Sequence, residues 1–224
     1  VWDAVDGHTS IPPIDKNTCV RTLFSDGHHI DQPIYFIDEA NNAHPKLAHK
    51  KRGWIESDPR EFADWFNEKA SKDEQLRRLV KYLKGWCDYQ NYSDDSKKMP
   101  TGFVITIWTV NNFSADERDD LALRNTLENM YDTLTNEFEC LRPTTPKDED
   151  VVENYSYEDY YMTKLKAFLE SAKQAINEKN PKNACYKWQK HLGSRFSCAT
   201  AKDEDEGANS YAAPAIVTSN AKSA

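Results

Sequence analysis

The sequence predicts an α+β protein that is mostly helical: a short β-hairpin near the start, a helical bundle behind it, and a polar tail. Three observations carry this. The turn pair Asp26-Gly27 sits between two β-prone runs. Long segments after residue 58 repeat apolar side chains at i, i+3, i+4 and i+7, the spacing of one helix face. From Thr200 the chain turns to Lys202-Asp203-Glu204-Asp205-Glu206 and then Gly, Ala, Ser and Asn, a composition with too little apolar surface to fold.

Each element follows in order. Residues 1–18 carry Pro12-Pro13 and little periodicity, and read as a loop or as the end of a missing element. Cys19 to Phe24 is a short strand, Asp26-Gly27 turns it, and His28 to Ile37 returns antiparallel. Asp31 stands in that second strand between Ile30 and Ile34. Pro33 has no N–H for a ladder, so the strand belongs at a sheet edge or ends there. Asp38 to Arg52 is polar, with Asn41-Asn42 and Lys46, His49, Lys50, Lys51 and Arg52, and reads as a solvated loop. Ser57 or Asp58 caps a helix over Arg60 to Glu68, with Pro59 in its first turn and Phe62, Trp65 and Phe66 on one face.

The clearest helix is Glu74 to Gln90. Leu76, Leu79, Val80, Leu83, Trp86 and Cys87 form its apolar stripe. Arg77, Lys81 and Lys84 line one flank of it, with Arg78 adjacent: a solvated face, or a contact for phosphates. Pro100-Thr101-Gly102 then opens Phe103 to Val110, too short for periodicity alone to separate strand from helix, and read here as a helix starting at Thr101. Arg118 to Glu139 and Glu158 to Glu178 are further amphipathic helices. Leu141 to Asp150 between them is a Pro-rich loop, and Asn180-Pro181 starts a last helix to about Leu192, anchored by Trp188.

Composition bounds the function. The 224 residues suffice for one large or two small domains with a real core. A mean hydropathy of −0.84 describes a strongly hydrated chain, and 12% aromatic content speaks against global disorder. No apolar run approaches the roughly 20 residues of a membrane span and no secretory segment opens the chain, so a cytoplasmic protein with no membrane contact is expected. The 5 cysteines are odd in number, scattered and without a C-x-x-C pair, which reads as free thiols with no disulfide partner. Cys185, His191 and Cys198 match no common zinc spacing. A formal net charge of −8 excludes a global field for nucleic acid, so any phosphate contact must be local. The chain opens on Val1 and its first methionine is Met99, so a processed chain or a piece of a longer one is expected.

Read together, HHIDQPIY (28–35), GWIESDPREFADWF (53–66), QLRRLVKYLKGW (75–86), MPTGF (99–103), RPTTP (142–146) and WQKHLGSRF (188–196) resemble, in order, the bacterial cGAS/DncV-like nucleotidyltransferases. The resemblance runs from about Cys19 to Phe196. It implies enzymes that join ATP and GTP into cyclic di- or trinucleotide second messengers in anti-phage defence, using Mg²⁺ held by carboxylates. It implies that 1–55 is the remnant of a nucleotidyltransferase core, 56–199 its helical domain and 200–224 a disordered tail. On the same resemblance Asp31 is the third metal-site carboxylate, catalytic and metal-binding. Lys84 reaches donor phosphates, with Lys81 and Arg77 as secondary contacts. Thr101 contacts nucleotide or simply caps its helix, and Tyr35 and Trp54 stack on a base or belong to the core.

The departure is that the family's Gly-Ser turn and Asp-x-Asp pair do not precede Asp31 here. Gly193-Ser194, Asp148-Glu149-Asp150 and Asp203-Glu204-Asp205 cannot stand in for them. A chain without those groups is expected to be inactive alone. The alternatives are a noncatalytic nucleotide-binding module and a protein-interaction helical module. In some defence operons the C-terminus is joined to targets by a conjugating protein; the tail ending in Lys222-Ser223-Ala224 suits that, or is a solubilising end.

Overall fold

The turn at Asp26-Gly27 builds the first sheet of the computed structural model, which describes residues 1–41 and 44–203. β1 (Ile14–Asp15), β2 (Cys19–Leu23) and β3 (His29–Pro33) pair antiparallel in that order, so β3 is the edge strand that Pro33 requires. Phe24 N donates to His28 O at 3.0 Å, Gly27 N donates to Phe24 O at 3.0 Å, and Gly27 holds φ at +90°. The loop is therefore three residues with a left-handed glycine, and it sets Arg21 opposite Asp31. A two-residue turn at Asp26-Gly27 would slip the pairing by one and put Gln32 there instead.

The expected single strand from His28 to Ile37 breaks after Pro33. β4 (Tyr35–Phe36) joins β5 (Lys46–His49) and β6 (Gly53–Glu56) in a second antiparallel sheet, order β4-β5-β6. The solvated loop expected over Asp38 to Arg52 is thus corrected: its second half is a hairpin, closed before Gly53 at φ +71°. Leu47 stands between Tyr35 and Ile55, and this cross-strand apolar contact outweighs the polar composition of the segment. Residues 1–18 also carry more than a loop, since α1 (Trp2–Val5) and β1 lie there.

α2 (Pro59–Lys72) begins as read, with Asp58 Oδ1 accepting from Arg60 N and Glu61 N at 3.1 Å each. Two compact units divide within it: Val1–Trp65 with Arg142–Glu149, and Phe66–Leu141 with the chain from Asp150.

The second unit is a helical bundle: α3 (Glu74–Ser93), α4 (Gly102–Asn112), α5 (Asp119–Asn136), α6 (Glu158–Asn177) and α7 (Pro181–Leu192). Asp73 caps α3 by accepting from Gln75 N at 2.8 Å, and Asn180 caps α7 with Pro181 in its first turn. The stripe read on α3 is buried throughout, and α4, buried without a break from Val104 to Thr109, packs against α3 and α5. Tyr161 lies at the middle, its ring 5.8 Å from Trp86 and 5.1 Å from Trp108.

The free-thiol reading needs correction. Cys185 on α7 and Cys198 form a disulfide across a sequence separation of 13 residues. Gly193, at φ +77°, turns the chain back after α7, and Gln189 Nε2 donates to Phe196 O at 2.6 Å, which brings Cys198 under the helix. Cys19, Cys87 and Cys140 make no disulfide. Of the tail, Asp203 meets Asn180 Nδ2 at 2.9 Å and Lys182 Nζ at 3.2 Å at the start of α7; from Glu204 onward it lies outside the described residues. No described helix is long and apolar enough to cross a membrane.

Candidate functional site

Asp31 projects from the edge strand β3 and is exposed. The register places Arg21 of β2 across from it, and the guanidinium grips both carboxylate oxygens, Nε to Oδ1 at 2.7 Å and the terminal nitrogen to Oδ2 at 2.8 Å. That fork holds the Asp31 carboxyl below the usual carboxylate range. The neighbouring Cys19 thiol is pushed up, first by partial burial and then by the Asp31 charge. A single carboxylate does not by itself make a magnesium site, because that ion needs several oxygens in octahedral array. Among the described residues the one cluster of three metal-ligating side chains is His44, Asp58 and Glu61, and Asp31 is not in it.

The basic flank of α3 resolves into four different situations. Arg78 is structural: it forks onto Asp119 at 2.7 and 2.8 Å, and Tyr82 and Gln75 also donate to that carboxylate. Arg77 is engaged locally, by Asn67 at 3.3 and 3.4 Å, by Glu74 at 3.4 Å and over the Phe66 ring at 5.3 Å. Lys81 is exposed. Lys84 is half-buried, and no carboxylate lies within ion-pair distance of its ammonium among the described residues.

Lys84 packs against the start of α4. A Cβ on Gly102 would stand 3.2 Å from Lys84 Cε and 3.7 Å from Nζ, so the lysine lies directly against the glycine and an added methyl would press it aside by a few tenths of an ångström. Thr101 is the N-cap, its Oγ1 accepting from Val104 N at 3.4 Å, so the capping role weighed from the sequence is present. The entry to α4 is held in place by Met99 N donating to Asn91 Oδ1 at 2.8 Å and Tyr155 Oη donating to Lys98 O at 2.5 Å. Burial pushes the Lys84 ammonium below its ordinary range, only partly opposed by Asp88. The result is a desolvated cation beside a helix N-terminus, which is itself electropositive. An anion placed there would relieve both charges.

Lys84 and Thr101 are thus brought to one place in the second unit, with Lys81 and Arg77 along the same flank; Asp31 belongs to the first unit. Trp54 is exposed with its ring 5.9 Å from Phe36, and Tyr35 bonds Ser57 at 3.2 Å. A cavity of about 300 Å³ in the first unit, lined by Lys16, Cys19, Ile34, Lys50 and Trp54 among others, includes neither Asp31 nor Lys84. Sequence reasoning missed Arg21, whose pairing depended on the loop length at Gly27, and missed the His44–Asp58–Glu61 cluster. The Gly102 contact had a signal in the Thr-Gly pair that was read only as a helix start.

The α+β fold, mostly helical with small antiparallel sheets, is that of the DncV nucleotidyltransferase. The solved Vibrio cholerae DncV cyclic AMP-GMP synthase with its linear intermediate pppA(3′,5′)pG superposes with a TM-score of 0.70 at 24% identity, over 83% of this chain and 53% of that one. The GTP-bound form of the same enzyme gives 0.66 at 26% identity, over 83% and 52%. Among curated proteins, a cyclic GMP-AMP synthase of Escherichia albertii is 32% identical over 108 residues, 47% of this chain and 23% of that protein. The Vibrio cholerae cyclic GMP-AMP synthase is 27% identical over 124 residues, 55% and 27%. No family model matches. The chain is related to the bacterial cGAS/DncV-like nucleotidyltransferases. It spans about half the length of the solved relatives it matches.

Proposed function

We propose that this chain is part of a nucleotidyltransferase that joins ATP and GTP into a cyclic di- or trinucleotide second messenger for anti-phage signalling in the cytoplasm, and that Lys84 takes the donor phosphates. The observation carrying this is the half-buried Lys84 ammonium against Gly102 at the entrance of α4. A triphosphate oxygen there accepts a charge-assisted hydrogen bond from Lys84 and lies at the positive end of the helix. Thr101 Oγ1 accepts from Val104 N, which leaves its hydroxyl hydrogen to donate to the same phosphate. Lys81 and Arg77 extend the positive flank outward. Asp31, oriented by Arg21, supplies one carboxylate toward Mg²⁺ in the intact protein; the residues described here do not complete that site, so the chain alone does not turn over.

The test has two arms. ATP titrated into the pure chain binds, and Lys84→Met weakens that binding at least about tenfold, the loss of a charge-assisted contact. Equal binding by the variant overturns the phosphate role. Radiolabelled ATP and GTP with Mg²⁺ give no cyclic product on thin-layer plates from the pure chain; product would overturn the reading of an incomplete catalytic centre. The Arg21 fork on Asp31 also favours a second reading, a noncatalytic nucleotide-binding module, which predicts no product from the full-length protein either.

A further inference from the structure

The first unit places three metal-ligating side chains together where nothing in the nucleotidyltransferase chemistry uses them. His44, just before β5, sets Nδ1 2.9 Å from Asp58 Oδ2 and 3.9 Å from Glu61 Oε2. One ligand atom from each residue lies within 4.8 Å of the others. Ligand atoms around a tetrahedral zinc ion, at about 2.0–2.2 Å from the metal, stand roughly 3.4 Å apart. The two measured separations bracket that value.

The groups are held from outside the cluster. Asp58 Oδ1 is fixed by the Arg60 and Glu61 amides at 3.1 Å, which leaves Oδ2 turned toward His44. Glu61 Oε2 accepts from Thr145 N at 2.8 Å. Ser57 N donates to Pro45 O at 3.2 Å, which ties the residue after His44 to the residue before Asp58. Such outer-shell bonds are what orient ligands in metal sites. The Asp58 side chain is sheltered, at 13% exposure, while His44 and Glu61 open to solvent at 53% and 39%. Two carboxylates face one imidazole, so even a charged His44 leaves an excess of negative charge, which the positive end of α2 offsets by only about half a unit.

We propose that His44, Asp58 and Glu61 form a binding site for a zinc-class dication, with water in the fourth position. The imidazole nitrogen selects zinc, cobalt or nickel over magnesium, whose preference is for oxygen. The bound ion clips the start of β5 to the first turn of α2.

Tag-free, chelator-treated chain is titrated with ZnCl₂ by calorimetry and with CoCl₂ by visible absorption. The expected result is one equivalent of zinc bound and the intense visible bands of four-coordinate cobalt. His44→Ala and Glu61→Gln each weaken zinc binding at least about tenfold. Both leave the Asp58 cap in place, so far-UV dichroism stays unchanged. Cys19→Ser, a control for thiol binding, leaves the titration as it was. No stoichiometric zinc uptake, zinc uptake lost in Cys19→Ser, or uptake unchanged in the H44A/E61Q double variant overturns the site, leaving His44 and Asp58 as a plain ion pair.

Discussion

At the scale of single residues, neighbours in one run take opposite fates. Arg78 and Lys84 share α3, but Arg78 is neutralised by Asp119 while Lys84 is left half-desolvated, its burial only partly offset by the charge of Asp88. His191 shows the same logic for an imidazole. It is 6% exposed, stacked on Phe168 with ring centres 4.8 Å apart and bonded to Ser171 Oγ at 2.8 Å. Burial first, then the charges of Lys190 and Lys164, push its pKa down to about 4. An unfolded histidine takes up its proton near pH 6.5, the native one only near pH 4. Stability therefore falls as pH drops through that window and does not fall further on this account below it. The loss amounts to about 3 kcal/mol at most, at roughly 1.4 kcal/mol per pH unit. Urea unfolding at pH 7 and pH 4.5 checks it: His191→Gln flattens the difference, and a wild-type chain already flat across the window contradicts it.

At the scale of elements, the entrance of α4 carries two duties. Thr101 caps the helix and stands beside Lys84 through Gly102. Thr101→Val removes the acceptor for the Val104 amide and lowers the unfolding free energy by about 1 kcal/mol, whereas Thr101→Ser keeps it. Urea melts separate the two variants; equal stability would mean the 3.4 Å cap bond contributes nothing measurable. The β2–β3 hairpin makes the complementary point. One residue in its loop decides whether Arg21 or a neighbour meets Asp31, because successive side chains on a strand point to opposite faces.

At the scale of the whole molecule, the two units differ in how much apolar surface they cover. Trp86, Tyr161, Phe168, Leu79 and Leu83 of α3, Leu123 and Leu127 of α5 and Leu165 of α6 are fully buried in the second unit. In the first, Pro13 and Val20 are the only apolar side chains buried among the described residues, while Ile30, Ile34, Phe36, Ile37 and Trp54 are exposed. Sheets normally bury at least one face against another layer, and uncovered apolar surface of this kind binds hydrophobic dyes. The chain on its own is expected to enhance 8-anilinonaphthalene-1-sulfonate fluorescence in its native state. Ile34→Lys combined with Phe36→Lys should cut that signal by about half, by removing two of the exposed side chains. An unchanged signal would place the dye elsewhere.

The bundle was legible because periodicity reports burial directly: the stripe on α3, the faces of α5 and α6, the Asp58 cap and the Asn180-Pro181 start all stand where the residues put them. The second sheet was not, because β5 has four residues and its polar composition hides the one contact, Leu47 between Tyr35 and Ile55, that makes it a strand. Nor was the Cys185–Cys198 bond, since odd cysteine count and scattered spacing carry no information about where Gly193 sends the chain. The sequence by itself determined the helices, their caps and the basic flank, which depend on neighbours three or four residues away. Only the tertiary structure decided which cation on that flank is spent and which is open, that Asp31 lies under Arg21, and that His44 meets Asp58 and Glu61. Those pairings join residues distant in the chain, and their distances depend on loop closure and register rather than on local composition.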